Sequence, residues 1–179
     1  MTDTGAAVIW SGLCASVDRT MALGRTLARH VAGGDVIALI GDLGAGKTCL
    51  VRGLADGLGI DASDVASPTF VLMHEYDNPT GRPVLVHIDA YRITDAADLA
   101  TIGWQPGGGE LAAQAVVAVE WADKIADQLG PRYLQVQLNH HSETVRHGAV
   151  SLHGPWADQS VALQSDLIKW SSTTTAANP

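Results

Sequence analysis

The spacing of apolar residues divides the first third of the chain into a helix, a strand and a second helix. Apolar residues recur every four positions between Asp18 and His30, which predicts a helix with Asp18 as its N-cap. The continuous apolar run from Asp35 to Ile40 predicts a short buried strand, and a helical pattern resumes from Lys47 to Leu58. A glycine-rich loop therefore connects a strand to a helix.

The middle of the chain is predicted to contain a β-hairpin and a short helix. Two runs of strand type, Phe70 to Tyr76 and Val84 to Asp89, flank the segment Asp77 to Gly81, whose Asn, Pro and Gly residues are typical of turns. A short helix is expected after Arg92, with Thr94 as its cap.

Three later strands complete a predicted α/β fold. Ala115 to Glu120 is an apolar strand that ends in a carboxylate, and Tyr133 to Asn139 and Arg146 to Leu152 form a final antiparallel pair. Helices and strands alternate early and hairpins come later, which predicts a sandwich with a mixed parallel and antiparallel sheet flanked by helices. One domain is expected over residues 5–156. Residues 157–179 are expected to form a C-terminal extension, partly helical and then a disordered tail from Ser171.

Length and charge narrow the functional classes. A chain of 179 residues suits one domain, and no apolar run approaches the roughly 18 residues that span a bilayer. The N-terminus lacks the positive segment of a signal peptide, so a cytoplasmic protein without membrane partners is expected. The net charge is −8 with only three lysines, which is too few cations for a large nucleic-acid surface. If the protein acts on RNA, we expect a partner to hold the RNA.

The loop from Gly41 to Thr48 satisfies the phosphate-binding pattern G-x-x-x-x-G-K-[ST]. Its glycines let successive backbone N–H groups converge on phosphate oxygens, and the following helix adds the positive end of its dipole. Lys47 is expected to reach the β- and γ-phosphates and the Thr48 hydroxyl to bind Mg²⁺. The preceding strand and following helix are the context that this motif requires, so a single-domain P-loop NTPase is predicted.

Two acids at strand ends are candidates for the remaining chemistry. A P-loop NTPase needs a second metal ligand and a group that orients the attacking water. Asp89 ends one apolar strand and Glu120 ends another, and ligands of such sheets bind beyond the carboxyl ends of the strands. Spacing alone leaves open which acid binds Mg²⁺ and which positions water.

Two further candidates have ordinary structural interpretations as well. Thr69, in the segment Ser67 to Phe70, is either part of a switch loop that senses the γ-phosphate or part of a plain turn into a strand. Trp121 is either a core aromatic or a platform on which a base stacks, and composition alone favours the core.

The ordered set of motifs resembles the TsaE (YjeE) family of small ATPases, which are required for threonylcarbamoyladenosine modification of tRNA. Besides the P-loop, the resemblance rests on Ser67-Pro68-Thr69-Phe70, on His87-Ile88-Asp89-Ala90-Tyr91-Arg92 and on Val119-Glu120-Trp121. It extends roughly from Asp18 to Leu152. The segment from Gly154 onward is longer than the usual family ending.

The resemblance implies a role for each motif. Thr48 and Glu120 would hold Mg²⁺, Asp89 would be needed for hydrolysis, Thr69 would lie in a switch loop and Trp121 near the nucleotide. Thr20, in the segment that resembles the family's first helix, would approach the base. The residues that would bind the phosphates of ATP or ADP are Gly41, Leu43, Gly44, Ala45, Gly46, Lys47 and Thr48.

The resemblance also implies partners. The family works with the TsaB–TsaD pair, in which TsaD modifies A37 of ANN-decoding tRNAs and ATP hydrolysis resets the complex between turnovers. The chain would then meet tRNA only through its partners, in agreement with its acidic charge.

Three other functions compete with this interpretation. A small-molecule kinase would carry an arginine-bearing lid, whereas the eight arginines here are scattered. A GTPase would contain an N-K-x-D segment, which is absent from the sequence. A non-catalytic module that binds ATP only to hold its shape stays open, because partners can supply the groups that stabilise the transition state.

Overall fold

A computed structural model describes residues 6–77 and 84–173, which contain seven β-strands and five α-helices. The strands are β1 (Ala7–Cys14), β2 (Val36–Ile40), β3 (Met73–Tyr76), β4 (Val84–Asp89), β5 (Ala115–Glu120), β6 (Tyr133–His140) and β7 (Arg146–His153). The α-helices are α1 (Val17–Ala28), α2 (Lys47–Leu58), α3 (Ala96–Thr101), α4 (Gly109–Gln114) and α5 (Ala157–Ser172). Short 3₁₀ segments occur at Ala62–Asp64, Ala90–Arg92, Pro106–Gly108 and Ala122–Gln128.

The strands form one mixed sheet in the order β1-β7-β6-β2-β5-β4-β3. The four strands β6, β2, β5 and β4 run parallel, and antiparallel strands extend the sheet at both sides. This confirms the predicted α/β sandwich with a mixed sheet. In the pairing of β4 with β5, Asp89 lies directly opposite Glu120. The two predicted acids therefore leave the sheet side by side.

Both faces of the central sheet are covered. On β2, Ile37 and Leu39 point into the cluster formed with α1, α2 and α5, while Val36 and Ala38 point into a second cluster on the other face. Burial on both faces explains why β2, β4 and β5 are nearly continuous apolar runs. Their only polar side chains are His87, Asp89 and Glu120.

Helices α1 and α2 pack against each other with very little space between their backbones. A Cβ atom at Gly53 would lie 1.9 Å from the carbonyl oxygen of Met21, so this contact requires glycine. The prediction that Asp18 caps α1 is wrong, because the Ser16 side chain accepts the hydrogen bond from the Arg19 N–H and Asp18 lies in the first turn.

The predicted hairpin of β3 and β4 is confirmed, with a shorter first strand. Residues Phe70 to Leu72 belong to a turn, and Leu72 has a positive φ of 66°, so the strand begins at Met73. Most of the predicted turn, residues 78–81, lies outside the described residues. The prediction of Thr94 as a cap is wrong, since Asp95 caps α3 by accepting hydrogen bonds from the N–H groups of Ala97 and Asp98.

Strand β1 and helix α5 form a part of the fold that the apolar pattern did not define. Strand β1 pairs with β7 at the edge of the sheet. Leu163 and Leu167 of α5 are buried in the cluster that contains α1, and Ser171 and Ser172 belong to this helix rather than to a tail. Residues 174–179 of the expected tail lie outside the described residues. No helix in the described ranges has the length and apolar character needed to cross a membrane.

Candidate nucleotide-binding site

The phosphate-binding loop leaves β2 and enters α2 in a conformation that exposes backbone N–H groups. Gly41 has φ of 149°, and a Cβ atom there would lie 2.1 Å from the carbonyl oxygen of Leu138. Helix α2 begins at Lys47 without a side-chain cap, because glycine occupies its N-cap position. The first N–H groups of α2 are thus left for an anion.

A cavity of about 490 Å³ opens beside this loop at the carboxyl ends of β4 and β5. Most of the residues predicted for the site line it, and the exceptions are Gly41 and Thr20. The lining residues are Leu43, Gly44, Ala45, Gly46, Lys47, Thr48, Cys49, Ser67, Thr69, Asp89, Tyr91, Glu120 and Trp121.

Lys47 is buried and makes three contacts. Its Nζ donates hydrogen bonds to the carbonyl oxygens of Gly41 (2.6 Å) and Asp42 (3.0 Å), and lies 3.7 Å from the centre of the Trp121 ring. Burial lowers the pKa of the Lys47 ammonium, and the nearby carboxylates of Glu120 and Asp89 act in the opposite direction. A phosphate group would replace neutral carbonyl acceptors with charged ones, which bind an ammonium more strongly.

Thr48 and Glu120 meet across the cavity. The Thr48 hydroxyl donates a hydrogen bond of 2.7 Å to Oε1 of Glu120. The Thr48 hydroxyl and the carboxylates of Glu120 and Asp89 all lie in this cavity. Together they give an all-oxygen donor set, which suits Mg²⁺ when phosphate and water complete the coordination. Within residues 6–77 and 84–173, no three His, Cys, Asp or Glu side chains are grouped to hold a metal by themselves.

Asp89 is held by the loop that precedes β3. Its Oδ2 accepts hydrogen bonds from the hydroxyls of Ser67 (3.0 Å) and Thr69 (2.6 Å), which also contact each other at 2.8 Å. Its Oδ1 accepts from the N–H of Tyr91 at 2.9 Å. Thr69 thus lines the cavity in direct contact with a candidate catalytic acid, and it also begins the turn that leads into β3.

Trp121 lies between the apolar core and the cavity. It follows β5 with a positive φ of 57°, a conformation that a large side chain rarely adopts. Its ring packs partly on the second apolar cluster and contacts Tyr91, with 5.0 Å between ring centres. This left-handed residue turns the chain sharply after Glu120 and places the indole beside Lys47.

Thr20 lies behind the phosphate-binding loop. It is buried, and its hydroxyl donates to the carbonyl oxygen of Ser16 at 3.2 Å. A Cβ atom on Gly46 would lie 3.6 Å from its methyl group. The structure brings Thr20 to the loop but does not include it in the cavity lining.

Four residues of this region were not predicted as site residues. His87 Nε2 lies 2.9 Å from Oε1 of Glu120, and Tyr91 packs on Trp121. Ser67 donates to Asp89, and Cys49 is half-buried and lines the cavity. His87 and Tyr91 each lie two residues from Asp89 in the sequence. This proximity to a predicted acid is the feature of the sequence that could have identified them as site residues.

Residues 14–148 match a family model described as "Threonylcarbamoyl adenosine biosynthesis protein TsaE". The chain belongs to the TsaE family. Relatives named "tRNA threonylcarbamoyladenosine biosynthesis protein TsaE" include one from Mycobacterium tuberculosis, 40% identical over 134 residues, covering 72% of this chain and 79% of the relative. One from Bacillus subtilis is 38% identical over 130 residues, covering 72% of this chain and 77% of the relative.

A solved structure supports the fold of this TsaE-family member. The crystal structure of YdiB from Bacillus subtilis superposes with a TM-score of 0.68 at 27% sequence identity, covering 92% of this chain and 97% of that one. The match to the family model includes the phosphate-binding loop, Asp89 and Glu120 and ends before α5.

Proposed function

We propose that this protein is a cytoplasmic, Mg²⁺-dependent ATPase that acts in the threonylcarbamoylation of A37 in ANN-decoding tRNAs. The observation that carries the proposal is the contact between the Thr48 hydroxyl and the Glu120 carboxylate at the mouth of a phosphate-binding loop. P-loop NTPases hold Mg²⁺ with a hydroxyl and a carboxylate arranged in this way. The curated relatives carry the name of the modification pathway.

In this proposal each group of residues has a distinct task. Backbone N–H groups from Leu43 to Thr48 bind the phosphates of ATP, and Lys47 reaches the β- and γ-phosphates. Thr48 and Glu120 hold Mg²⁺, which when bound neutralises charge that develops on the phosphate oxygens. Asp89 orients the water that attacks the γ-phosphate.

The hydrogen bonds around Asp89 support low turnover by the isolated chain. Both hydroxyls of the segment Ser67 to Thr69 donate to Oδ2, the same oxygen of this acid. While these hydroxyls occupy Oδ2, that oxygen cannot accept a hydrogen bond from the attacking water. Full activity then requires this loop to move, and a partner that contacts the loop would control hydrolysis.

The proposed partner is the TsaB–TsaD pair, and the proposed role of hydrolysis is to reset that complex between turnovers. The net charge of −8 supports this division of labour, because it leaves the RNA to be held elsewhere. Loss of the γ-phosphate would change the position of the Ser67 to Thr69 loop and with it the affinity for the pair.

The test is Mg²⁺-dependent hydrolysis of ATP and GTP by the purified chain, alone and with the matching TsaB–TsaD pair. We expect ATP-selective turnover that rises with the pair and is abolished in Lys47→Ala. If the pair changes neither turnover nor nucleotide binding, the role in tRNA modification is wrong. If labelled phosphate appears on an added acceptor instead of in water, the protein is a kinase.

A further inference from the structure

His87 is a fully buried histidine that faces the candidate metal ligand. It lies on β4, two residues before Asp89, and its exposed fraction is 0%. Its Nε2 lies 2.9 Å from Oε1 of Glu120, the oxygen that also accepts from Thr48. No task in the proposed function uses this imidazole.

The hydrogen bonds determine which ring nitrogen carries the proton. Among the described residues, Nδ1 of His87 is buried and has no hydrogen-bond partner. An N–H at Nδ1 would leave a buried donor unsatisfied, whereas an N–H at Nε2 donates to the carboxylate and leaves only a lone pair at Nδ1. The tautomer with its proton on Nε2 is therefore the one that the hydrogen bonds in this pocket favour.

Two donors converge on one oxygen of Glu120. Among the described residues, hydrogen bonds reach this carboxylate only at Oε1, from Thr48 and His87, and none reaches Oε2. Thr48 is itself a proposed metal ligand, so its hydroxyl would turn from Glu120 to the metal on binding. His87 is fixed on a strand that pairs with β5, so it is the donor that stays in place.

We propose that His87 is a positioning residue: it holds the Glu120 carboxylate by Oε1 and thereby leaves Oε2 free to bind Mg²⁺ in the nucleotide cavity. The proposal rests on the proposed function, because it assumes that a Mg²⁺–nucleotide complex occupies the cavity. Groups that orient a metal ligand through a hydrogen bond typically change metal affinity by about ten- to a hundredfold when removed. His87 would therefore affect the contribution of Mg²⁺ to nucleotide binding more than the binding of the nucleotide itself.

The experiment measures ADP binding to the full chain by calorimetry, in excess EDTA and across a Mg²⁺ titration. The key variants are His87→Leu, which removes the donor, and His87→Gln, whose amide nitrogen reaches the place of Nε2. The control is His153→Leu, since His153 is another strand histidine, which stacks on Tyr133 (4.1 Å between ring centres) at the opposite end of β6 from the phosphate-binding loop. Circular dichroism and thermal unfolding establish that each variant is folded.

We expect His87→Leu to bind ADP in EDTA as the unmodified protein does and to require about tenfold or more Mg²⁺ for the same gain in affinity. His87→Gln and His153→Leu should keep the Mg²⁺ dependence of the unmodified protein. If His87→Leu does not fold, His87→Asn replaces it, because the shorter amide occupies the place of Nδ1 and cannot reach Glu120. A weaker Mg²⁺-dependent gain in ADP affinity in His87→Asn, together with an unchanged gain in His87→Gln, supports the proposal equally.

Two results would overturn it. If a folded His87→Leu or His87→Asn variant shows the same gain in ADP affinity with Mg²⁺ as the unmodified protein, His87 does not position Glu120. If His87→Gln and His87→Leu lose this gain equally, His87 acts only through packing. Both results leave nucleotide binding by the unmodified protein intact. If the unmodified protein binds no nucleotide with or without Mg²⁺, the proposed function fails, and the role of His87 fails with it.

Discussion

Asp89 and Glu120 occupy matching positions on neighbouring strands, yet different donors surround them. Glu120 accepts from Thr48 at the start of a helix and from a buried histidine of the sheet. Asp89 accepts on Oδ2 from two hydroxyls of a loop and on Oδ1 from the N–H of Tyr91. The acid held from regular secondary structure suits a metal ligand, and the loop-bound acid suits a step that depends on movement of the loop. This difference agrees with the division of roles proposed above.

The loop-bound acid leads to a prediction for Thr69. Replacing Thr69 with Val removes a hydrogen bond of 2.6 Å to the Asp89 carboxylate, and hydrogen bonds to charged groups contribute about 1.5–3 kcal/mol. We expect Thr69→Val to bind ATP normally but to raise the single-turnover rate of hydrolysis by the chain alone by about tenfold or more, because it frees an acceptor site on Asp89. Thr69→Ser, which keeps the hydroxyl, should behave like the unmodified protein. Equal rates in all three proteins would exclude Thr69 from a switch.

The cavity thiol leads to a second prediction at the same scale. Desolvation by burial raises the pKa of both thiols, that of Cys14 to about 11, which lowers the amount of reactive thiolate at neutral pH. Cys49 lines the cavity and is half-buried, whereas Cys14 is buried in the core, so a reagent reaches Cys49 more easily. We expect a thiol reagent at pH 7.5 to label Cys49 first and ADP with Mg²⁺ to slow that labelling. The assay is mass spectrometry of the labelled peptides, with Cys49→Ser as control. Labelling unaffected by nucleotide would place the ligand elsewhere.

At this scale the sequence predicted individual residues better than their contacts. The phosphate-binding loop is a local pattern of eight residues, and Asp89 and Glu120 each follow an apolar run, so all three were visible along the chain. The contact from His87 to Glu120 joins two strands and depends on their register, which no local pattern encodes. The left-handed conformation of Trp121 likewise depends on tertiary packing.

Among the elements, the central strands and α2 were predictable and the periphery was not. Strands β2, β4 and β5 are buried on both faces, so their apolar runs are unmistakable. Strand β1 contains Ser11 and Gly12 and has several exposed positions, because it forms the edge of the sheet, so its pattern is weak. Helix caps were also misassigned, since Ser16 and Asp18 are both good capping residues and only the backbone conformation separates them.

Helix α5 provides a prediction about stability. Leu167 is fully buried against the core, whereas the adjacent Ile168 is 52% exposed. We expect Leu167→Ala to lower the free energy of unfolding by about 2–5 kcal/mol, because it removes buried methyl groups and leaves a cavity. Ile168→Ala should cost less than about 1 kcal/mol. Urea unfolding of both variants measures the difference. Similar losses of unfolding free energy in both variants would mean that α5 is not part of the cooperative core.

For the whole molecule, the acidic charge bears on the proposed role in tRNA modification. A net charge of −8 repels a polyanion, and the lysines are too few to form a large basic surface. We expect the chain alone to bind tRNA more weakly than about 10⁻⁴ M at physiological salt, and to join a tRNA complex when the TsaB–TsaD pair is added. Fluorescence anisotropy with labelled tRNA tests this. Tight binding by the chain alone, weakened by salt, would contradict the proposed division of labour.

The side-by-side placement of Asp89 and Glu120 also bears on how the chain selects its native strand alignment. Because β4 and β5 are apolar on both faces, shifting one strand by a single residue would exchange one set of apolar side chains for another at little cost in burial. The shift would, however, move the carboxylate of Glu120 to the opposite apolar face and separate it from His87 and Thr48, at a cost of several kcal/mol. The acids proposed for catalysis would therefore also discriminate against misaligned sheets during folding.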